Sequence, residues 1–399
     1  MKRLFRSLVD ERIRDGLWAW RERGDRSVLS AVTHDLLKRR YAAGSDLEHL
    51  AATMAWLCAA QDAMPAGGVS AFYDVRAGTW GPPYPETTGY IIPTFFDYAA
   101  LSGDDTFRTR AVRMANWLLT LQLDGGAFPI GPLWPDWERA PLVFDTGQII
   151  HGLVRVYEET TRQDFLESAR RAGDWLVKIQ DPDGAWRKHT SLDIVHTYNV
   201  RTTWGLLRLY QASQDPLYRQ AAERNLAWAL DDQDPDGWFR NAHFRVGEDP
   251  LTHTIAYTIE GLLESGVLLG NQKVIHAAQR AAEALCQRQN QDGFLRARYG
   301  PGWRSDLSWS CLTGDAQMAI LWQRSYQLTG DPGYLRAAEA ANAYVKQAQN
   351  RASGLPGVMG GIAGSHPIYA GYEPYRNLNW AAKFFADSLL LSIELKKQA

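Results

Sequence analysis

Four stretches decide the reading: "ANWLLTLQLDGGAF" (115–128), "GDWLVKIQDPDGAW" (173–186), "LAWALDDQDPDGWF" (226–239) and "AEALCQRQNQDGFL" (282–295). Each holds a glutamine, three residues, a glycine and then an aromatic. The glutamines are Gln122, Gln180, Gln233 and Gln289, spaced 58, 53 and 56 residues apart. Gln61, in "MAWLCAAQDAMPAGG", precedes the first by 61 residues. Gln349, in "ANAYVKQAQNRASG", follows the last by 60, with a looser turn. Six units of similar length define a repeat architecture.

Each unit carries two helical patterns. The one before the glutamine is amphipathic, as in Ala169, Ala172, Leu176 and Ile179. The one after the glycine turn is apolar on most faces and rich in small residues, as in "TGQIIHGLVRVYEET" and "TIAYTIEGLLESGVLLG". The first belongs outside and the second inside. Inner-to-outer connections are short, and Asp105, Asp164, Asp215 and Asp331 are expected to cap the outer helices. Outer-to-inner connections run to about twenty residues, a length that usually carries function. Six inner and six outer helices in alternation predict an all-α (α/α)6 toroid, with its long loops on one face. Residues 45–399 form the toroid, and residues 1–44 an N-terminal helical segment.

Composition narrows the function. The chain has 399 residues, 45% of them apolar, and a net charge of −2, which gives no reason to expect nucleic acid. Cys58, Cys286 and Cys311 are too scattered for a disulfide framework or a zinc site, and no metal or cofactor is expected. The N-terminus has no apolar run of signal-peptide length and no stretch reaches a membrane span, so the expected location is cytoplasmic. Lys2, Arg3, Arg6, Arg12, Arg14, Arg21, Arg23, Arg26 and Lys38 to Arg40 make the first forty residues basic. That suits a solvated helix, or peripheral contact with a membrane or lipid-linked glycan. The oligomeric state is not legible. Sixteen Trp and seventeen Tyr suit ring stacking as well as helix packing.

The glutamine–glycine–aromatic turns resemble the QW repeats of the squalene cyclase–prenyltransferase superfamily. They equally resemble the (α/α)6 catalytic toroids of carbohydrate-active proteins: the C-terminal domain of D-glucuronyl C5-epimerases, uronate lyases and unsaturated glucuronyl hydrolases. The Asp-x-Asp-Asp motif of class II terpene cyclases is absent. Cys311 and Asp315 have no matching histidine region for a prenyltransferase zinc site. The resemblance therefore implies a carbohydrate-active enzyme on an anionic poly- or oligosaccharide.

The inner-helix entrances supply candidate site residues. In "PETTGY" they are Glu86 and Tyr90, with Thr87 or Thr88 as the cap. In "FDTGQ" they are Asp145 and Gln148, and "Asp-Thr" at a helix start resembles the unsaturated glucuronyl hydrolases. In "HTYNVRTTW" they are Tyr198, Asn199 and Arg201, the last suited to a bidentate carboxylate contact. In "THTIAYTIEG", His253, Tyr257 and Glu260 share a helix face. "WSCLTGDAQ" offers Trp309, Asp315 and Gln317, and "YEPYRNLNW" offers Tyr372 and Asn377. First-turn carboxylates such as Glu86, Asp145 and Asp315 serve equally as helix-dipole partners or caps. Trp80, Trp134, Trp137, Trp238, Trp303 and Trp309 lie on or near the long loops, with Trp238 expected to be a repeat plug. The loop "GSHPIYAGYEPY", with His366, Tyr369 and Tyr372, is either a lid or a packed cover.

Two chemistries fit these groups. Proton abstraction at C5 of a uronate, giving epimerisation or elimination, assigns Tyr257, His253, Tyr90 or Tyr198 to acid–base work and Arg201 to the carboxylate. Glycoside hydrolysis draws a carboxylate pair from Asp145, Glu260, Asp315 and Glu86. The tyrosines and the epimerase resemblance favour the first. A non-catalytic glycan-binding toroid and a terpenoid cyclase-like protein stay open.

Overall fold

The paired patterns form the helices they predict. A computed structural model describes residues 13, 17, 26–37 and 39–398. Most of segment 1–44 lies outside these residues, including Lys2, Arg3, Arg6, Arg12, Arg14, Arg21, Arg23 and Lys38. A short helix, α1 (Ser27–Leu36), precedes twelve that alternate outer and inner. These are α2 (Asp46–Asp62), α3 (Pro85–Ser102), α4 (Thr106–Leu119), α5 (Val143–Thr160), α6 (Gln163–Ile179), α7 (Val200–Ser213) and α8 (Pro216–Asp231). They continue as α9 (Thr252–Leu269), α10 (Gln272–Cys286), α11 (Leu312–Thr329), α12 (Pro332–Ala348) and α13 (Asn379–Gln398).

The odd-numbered helices from α3 to α13 form the inner ring. Each packs on the next, and α13 packs back on α3, which closes the toroid. Close approach needs small residues: a Cβ on Gly314 of α11 would lie 2.8 Å from the His253 nitrogen of α9. The sixth hairpin joins the two ends of the described chain, outer α2 against inner α13. Buried Asp46 fastens it, accepting hydrogen bonds from Lys346, from Lys396 at 2.7 Å and from Ser392 at 3.0 Å. The first and last long loops also pair. Strand β1 (Phe72–Asp74) lies between β2 (Thr79–Trp80) and β5 (Arg376–Leu378), with Tyr73 opposite Trp80 and Asn377. A second pair, β3 (Ser310–Cys311) and β4 (Ser365–His366), ties the fifth long loop to the sixth.

The repeated glutamine is a bracket between neighbouring units. Gln122 Nε2 donates to the Gly126 carbonyl of its own turn and to the Ser168 carbonyl of the next outer helix, both at 2.8 Å. Gln180 does the same to Gly184 and Ala221, Gln233 to Gly237 and Ala277, and Gln289 to Gly293 and Ala337. Gly126 has φ +93°, and a side chain there would strike the Arg171 carbonyl, so glycine is required. Trp238 is the buried plug expected, its indole N–H donating to the Tyr299 carbonyl at 3.1 Å.

Asp215 and Asp331 cap α8 and α12 through Leu217 N and Gly333 N. The other two expected caps miss by register. Asp104, rather than Asp105, accepts from Thr106 N, and Asp164 falls inside α6, paired with Arg162. Neither Thr87 nor Thr88 caps α3, because that helix begins two residues earlier, at Pro85. Among the described residues no helix is long and apolar enough to cross a membrane, and no cluster of three or more His, Cys, Asp or Glu is poised for a metal.

Candidate active site

The inner helices all start on the long-loop face, so six positive helix ends converge on one mouth. There they border a cavity of about 650 Å³. Of the residues singled out in the sequence, Glu86, Tyr90, Asp145, Tyr198, His253, Tyr257 and Tyr372 line it. Tyr84, Phe144, Phe244 and Trp380 complete the wall, and Arg245, Glu248 and Arg298 lie at its edge, with Glu248 3.2 Å from Arg298.

Glu86 and Asp145 enter from the first turns of α3 and α5 and hydrogen-bond to each other. Glu86 also accepts from the Tyr84 hydroxyl, and Asp145 Oδ2 accepts from Gly131 N at 2.7 Å. The two acids are 5% and 1% exposed. Burial raises Glu86 to about 7, against the lowering effect of hydrogen bonds from Tyr84, Asp145 and Tyr90 and the charge of Arg201. Burial first, then the Glu86 charge, pushes Asp145 well above the carboxylate range, with Gly131 N opposing. Two carboxyls this close cannot both ionise cheaply, so the pair shares a proton.

His253, at the second position of α9, stands across the cavity in the chain's circuit. Its Nδ1 lies 2.6 Å from Gln317 Oε1 on α11. A carbonyl oxygen only accepts, so the ring proton sits on Nδ1 and Nε2 is the lone-pair nitrogen. Burial lowers His253 to about 4, with Arg201 adding to the lowering and Gln317 opposing it, so the ring is neutral. Tyr90, Tyr198, Tyr257 and Tyr372 are all pushed well above 10, chiefly by burial, and remain hydroxyl donors. The Tyr90 and Tyr257 hydroxyls are 3.4 Å apart.

The remaining candidates lie elsewhere. Arg201 and Glu260 face a second cavity, of about 750 Å³, that opens at the other ends of the inner helices. They are an ion pair at 2.6 Å, and Arg201 also donates to Gln148. The Arg201 guanidinium carbon is 5.2 Å from the ring centres of both Tyr90 and Tyr257. This layer separates the two cavities. His253, Tyr257 and Glu260 do share a face, but seven residues of helix advance about 10 Å, enough to carry Glu260 through the septum. Gln317 supports His253 from behind. Asp315 is buried against the Ser310 hydroxyl, away from both cavities. Asn199 is buried with both side-chain polar atoms lacking a hydrogen-bond partner. Asn377 donates to the Gly357 carbonyl at 3.0 Å, and Trp309 packs against the small cluster of Leu251, Ala297 and Cys311.

Comparison with known proteins agrees with this architecture. Residues 82–263 match the squalene-hopene cyclase C-terminal domain family. The chain is 23% identical over 253 residues to the squalene–hopene cyclase of Zymomonas mobilis, covering 57% of this chain and 37% of that one. It thus spans little more than a third of that cyclase's length. Among solved structures, the cellobiose 2-epimerase of Bacillus thermoamylovorans superposes with a TM-score of 0.70 at 14% identity, over 88% of this chain and 97% of that one. An unsaturated glucuronyl hydrolase specific for heparin gives 0.69 at 17% identity, over 88% and 98%. Both resemblances read from the repeats are thereby met. The fold is the (α/α)6 toroid shared by these epimerases and hydrolases, with a sequence link to the cyclase superfamily.

Proposed function

We propose that the protein is a carbohydrate-active enzyme that moves a proton at a ring carbon of a uronic-acid-containing glycan, by epimerisation or elimination. The observation that carries this is the buried pair of acids, Glu86 and Asp145, that two neighbouring inner helices bring together in the cavity wall, where burial raises Glu86 to about 7. An acid–base group works best when its pKa lies near the working pH. Glu86 in its ionised form is the base, with the pair's shared proton on Asp145. A uronate carboxylate gathers charge when its neighbouring C–H ionises, and the convergent inner-helix N-termini stabilise that charge. Glu86 takes the C–H proton. The Tyr257 hydroxyl, beside His253 on the other side of the cavity, returns one to the opposite face of that carbon in epimerisation or to the departing glycosidic oxygen in elimination. His253 Nε2 accepts a hydrogen bond.

The same pair disfavours hydrolysis by two separated carboxylates. That chemistry needs about 5 Å or more between them, whereas these two are in hydrogen-bond contact. The other carboxylates lining the cavity, Glu248 and Glu373, are paired with Arg298 and Arg376. An anionic substrate is supported by the convergent helix N-termini and by the mouth, where Arg245 and Arg298 share the single carboxylate of Glu248 and leave one positive charge in excess. Arg201, the cation expected from sequence to bind the carboxylate, is committed to Glu260. It acts on the site only through its field.

The test is incubation with uronate-containing glycans in deuterium oxide. Deuterium appearing at C5, with or without a new ring double bond, supports proton abstraction. New reducing ends without deuterium at carbon would replace it with hydrolysis.

A further inference from the structure

The cavity does not end at its mouth. Ile130 and Pro132 line both the cavity and a small adjoining depression of about 90 Å³, whose other walls include Trp134 and Trp137. Trp137 is 63% exposed and Trp134 40%, and no other described tryptophan is exposed to that degree. Their rings are 6.4 Å apart and tilted by 47°. Leaving two indoles in water forfeits the burial that stabilises every other described tryptophan of this chain.

The loop that presents them is held in place. Ile130 N donates to Ala140 O at 2.8 Å, and Pro129 bridges to Pro141. Leu133 N donates to Pro83 O at 2.9 Å, one residue before Tyr84 and three before Glu86. Pro132 and Pro135 further stiffen the segment. The aromatic surface is therefore tied to the strand of chain that carries the acid pair. Glu138 and Arg139 both line the same depression, and Arg245, Glu248 and Arg298 lie around the cavity edge.

We infer that Trp134 and Trp137 form an outer subsite that stacks on sugar rings of a chain whose reacting ring lies in the cavity. Indole faces match the apolar faces of sugar rings, and with Glu138 beside Arg139 the platform is charge-balanced, so stacking rather than charge carries the contact. The inference rests on the proposed site and deepens it: the substrate is an oligo- or polysaccharide, longer than the ring held between Glu86 and His253. A monosaccharide would leave the platform unused.

Isothermal calorimetry with glucuronate-containing oligosaccharides of two and six rings tests this. The wild-type protein is compared with Trp134→Ala/Trp137→Ala, whose side chains are exposed, so its melting temperature is expected to match. For the wild type, the six-ring chain binds roughly tenfold or more tighter than the two-ring one, the scale of an aromatic anchor. In the double variant that gain disappears and two-ring binding is unchanged. Trp134→Phe/Trp137→Phe recovers part of it. A length gain that persists in the alanine variant overturns the subsite. So does wild-type turnover of short glycans with no gain from length, although the proton-transfer reading then stands. A length gain lost with the tryptophans, without deuterium exchange at any ring carbon, upholds the subsite and overturns the catalytic reading. Tryptophan-dependent capture of anionic phosphatidylglycerol vesicles, with no glycan binding, reassigns the platform to a lipid surface.

Discussion

Converting Glu86 to Gln and Asp145 to Asn together removes the titrating pair while nearly preserving its shape. The effect on stability has a definite sign. Burial raises Glu86 from 4.5 to about 7 and Asp145 in the same direction. Above the ordinary carboxylate pKa, the folded chain retains protons that the unfolded chain has released, so stability falls as pH rises through 7. Each tenfold change in acidity is 1.36 kcal/mol, so Glu86 alone accounts for about 3 kcal/mol. A domain of 399 residues unfolds with roughly 0.8 kcal/mol/K of entropy, so this equals about 4 °C in Tm. Calorimetric melting at pH 5 and pH 8 measures it. The variant-minus-wild-type difference is expected to grow by at least about 3 °C between those conditions, in the variant's favour, because pH 5 already lies above the unfolded Glu86 value and Asp145 adds in the same direction. His253 works the other way: its stabilisation is present above 6.5 and is lost as pH falls toward 4. It is common to both proteins and cancels. A difference equal at both pH values would show that the pair holds no proton near neutrality. No substrate is needed for this measurement.

Turnover gives an independent reading of the same pair. The rate of deuterium incorporation should fall on the acid side of about 7, as Glu86 takes up a proton, and that limb should vanish in E86Q along with at least a hundredfold of the rate. Gln122→Ala removes the bracket between two units and leaves the Gly126 and Ser168 carbonyls short of a donor. It should cost about 1–3 kcal/mol in chemical denaturation without changing the substrate profile. Arg201→Met leaves Glu260, buried against the second cavity, without its partner and should cost about 3–5 kcal/mol, whereas R201M/E260M recovers most of it. If the double variant melts as low as the single, the pair is not what holds that layer.

The toroid was legible because its signal is repeated. One glutamine turn is ambiguous, but four in register, with weaker copies at either side, set the number of units and the inside–outside order. The sixth hairpin was harder, because α2 and α13 come from opposite ends of the described chain and no local pattern announces their meeting. Site residues were legible where side and depth coincide, as for Glu86, Asp145, His253 and Tyr257. Arg201 and Glu260 were misplaced in depth: helical periodicity gives the angle about the axis and is silent on which of two cavities a residue reaches. Tyr84 was missed because the helix reading began after Pro85. A tyrosine just before a first-turn proline, two residues from an acid, was the available signal. Trp380 and Phe244 carried no signal of their own.

The direction of its pKa, together with cavity access and pairing, separates a catalytic role for Glu86 from service to the helix dipole. The dipole stabilises the charged form and lowers a carboxylate's pKa. Glu48, in the first turn of α2, is lowered by capping hydrogen bonds, accepting from the Ser45 N–H at 2.7 Å and from the Ser45 hydroxyl. Glu86 occupies the corresponding turn of α3 and is raised. The dipole contributes about 0.3–1 kcal/mol, up to ~2 in favourable geometry, and burial of an acid beside another acid exceeds it. The fold therefore gains nothing from this charge. Yet a raised pKa does not by itself define a site. Asp315 is also buried and pushed well above its ordinary value by burial, with the Ser310 hydroxyl opposing. It lines no cavity and meets no second acid. Cavity access and pairing, rather than acidity, separate the two. D315N should retain deuterium exchange within about twofold, against the hundredfold or greater loss in E86Q. Equal losses would move the chemistry away from the Glu86–Asp145 pair, because Asp315 has no path to a substrate in that cavity.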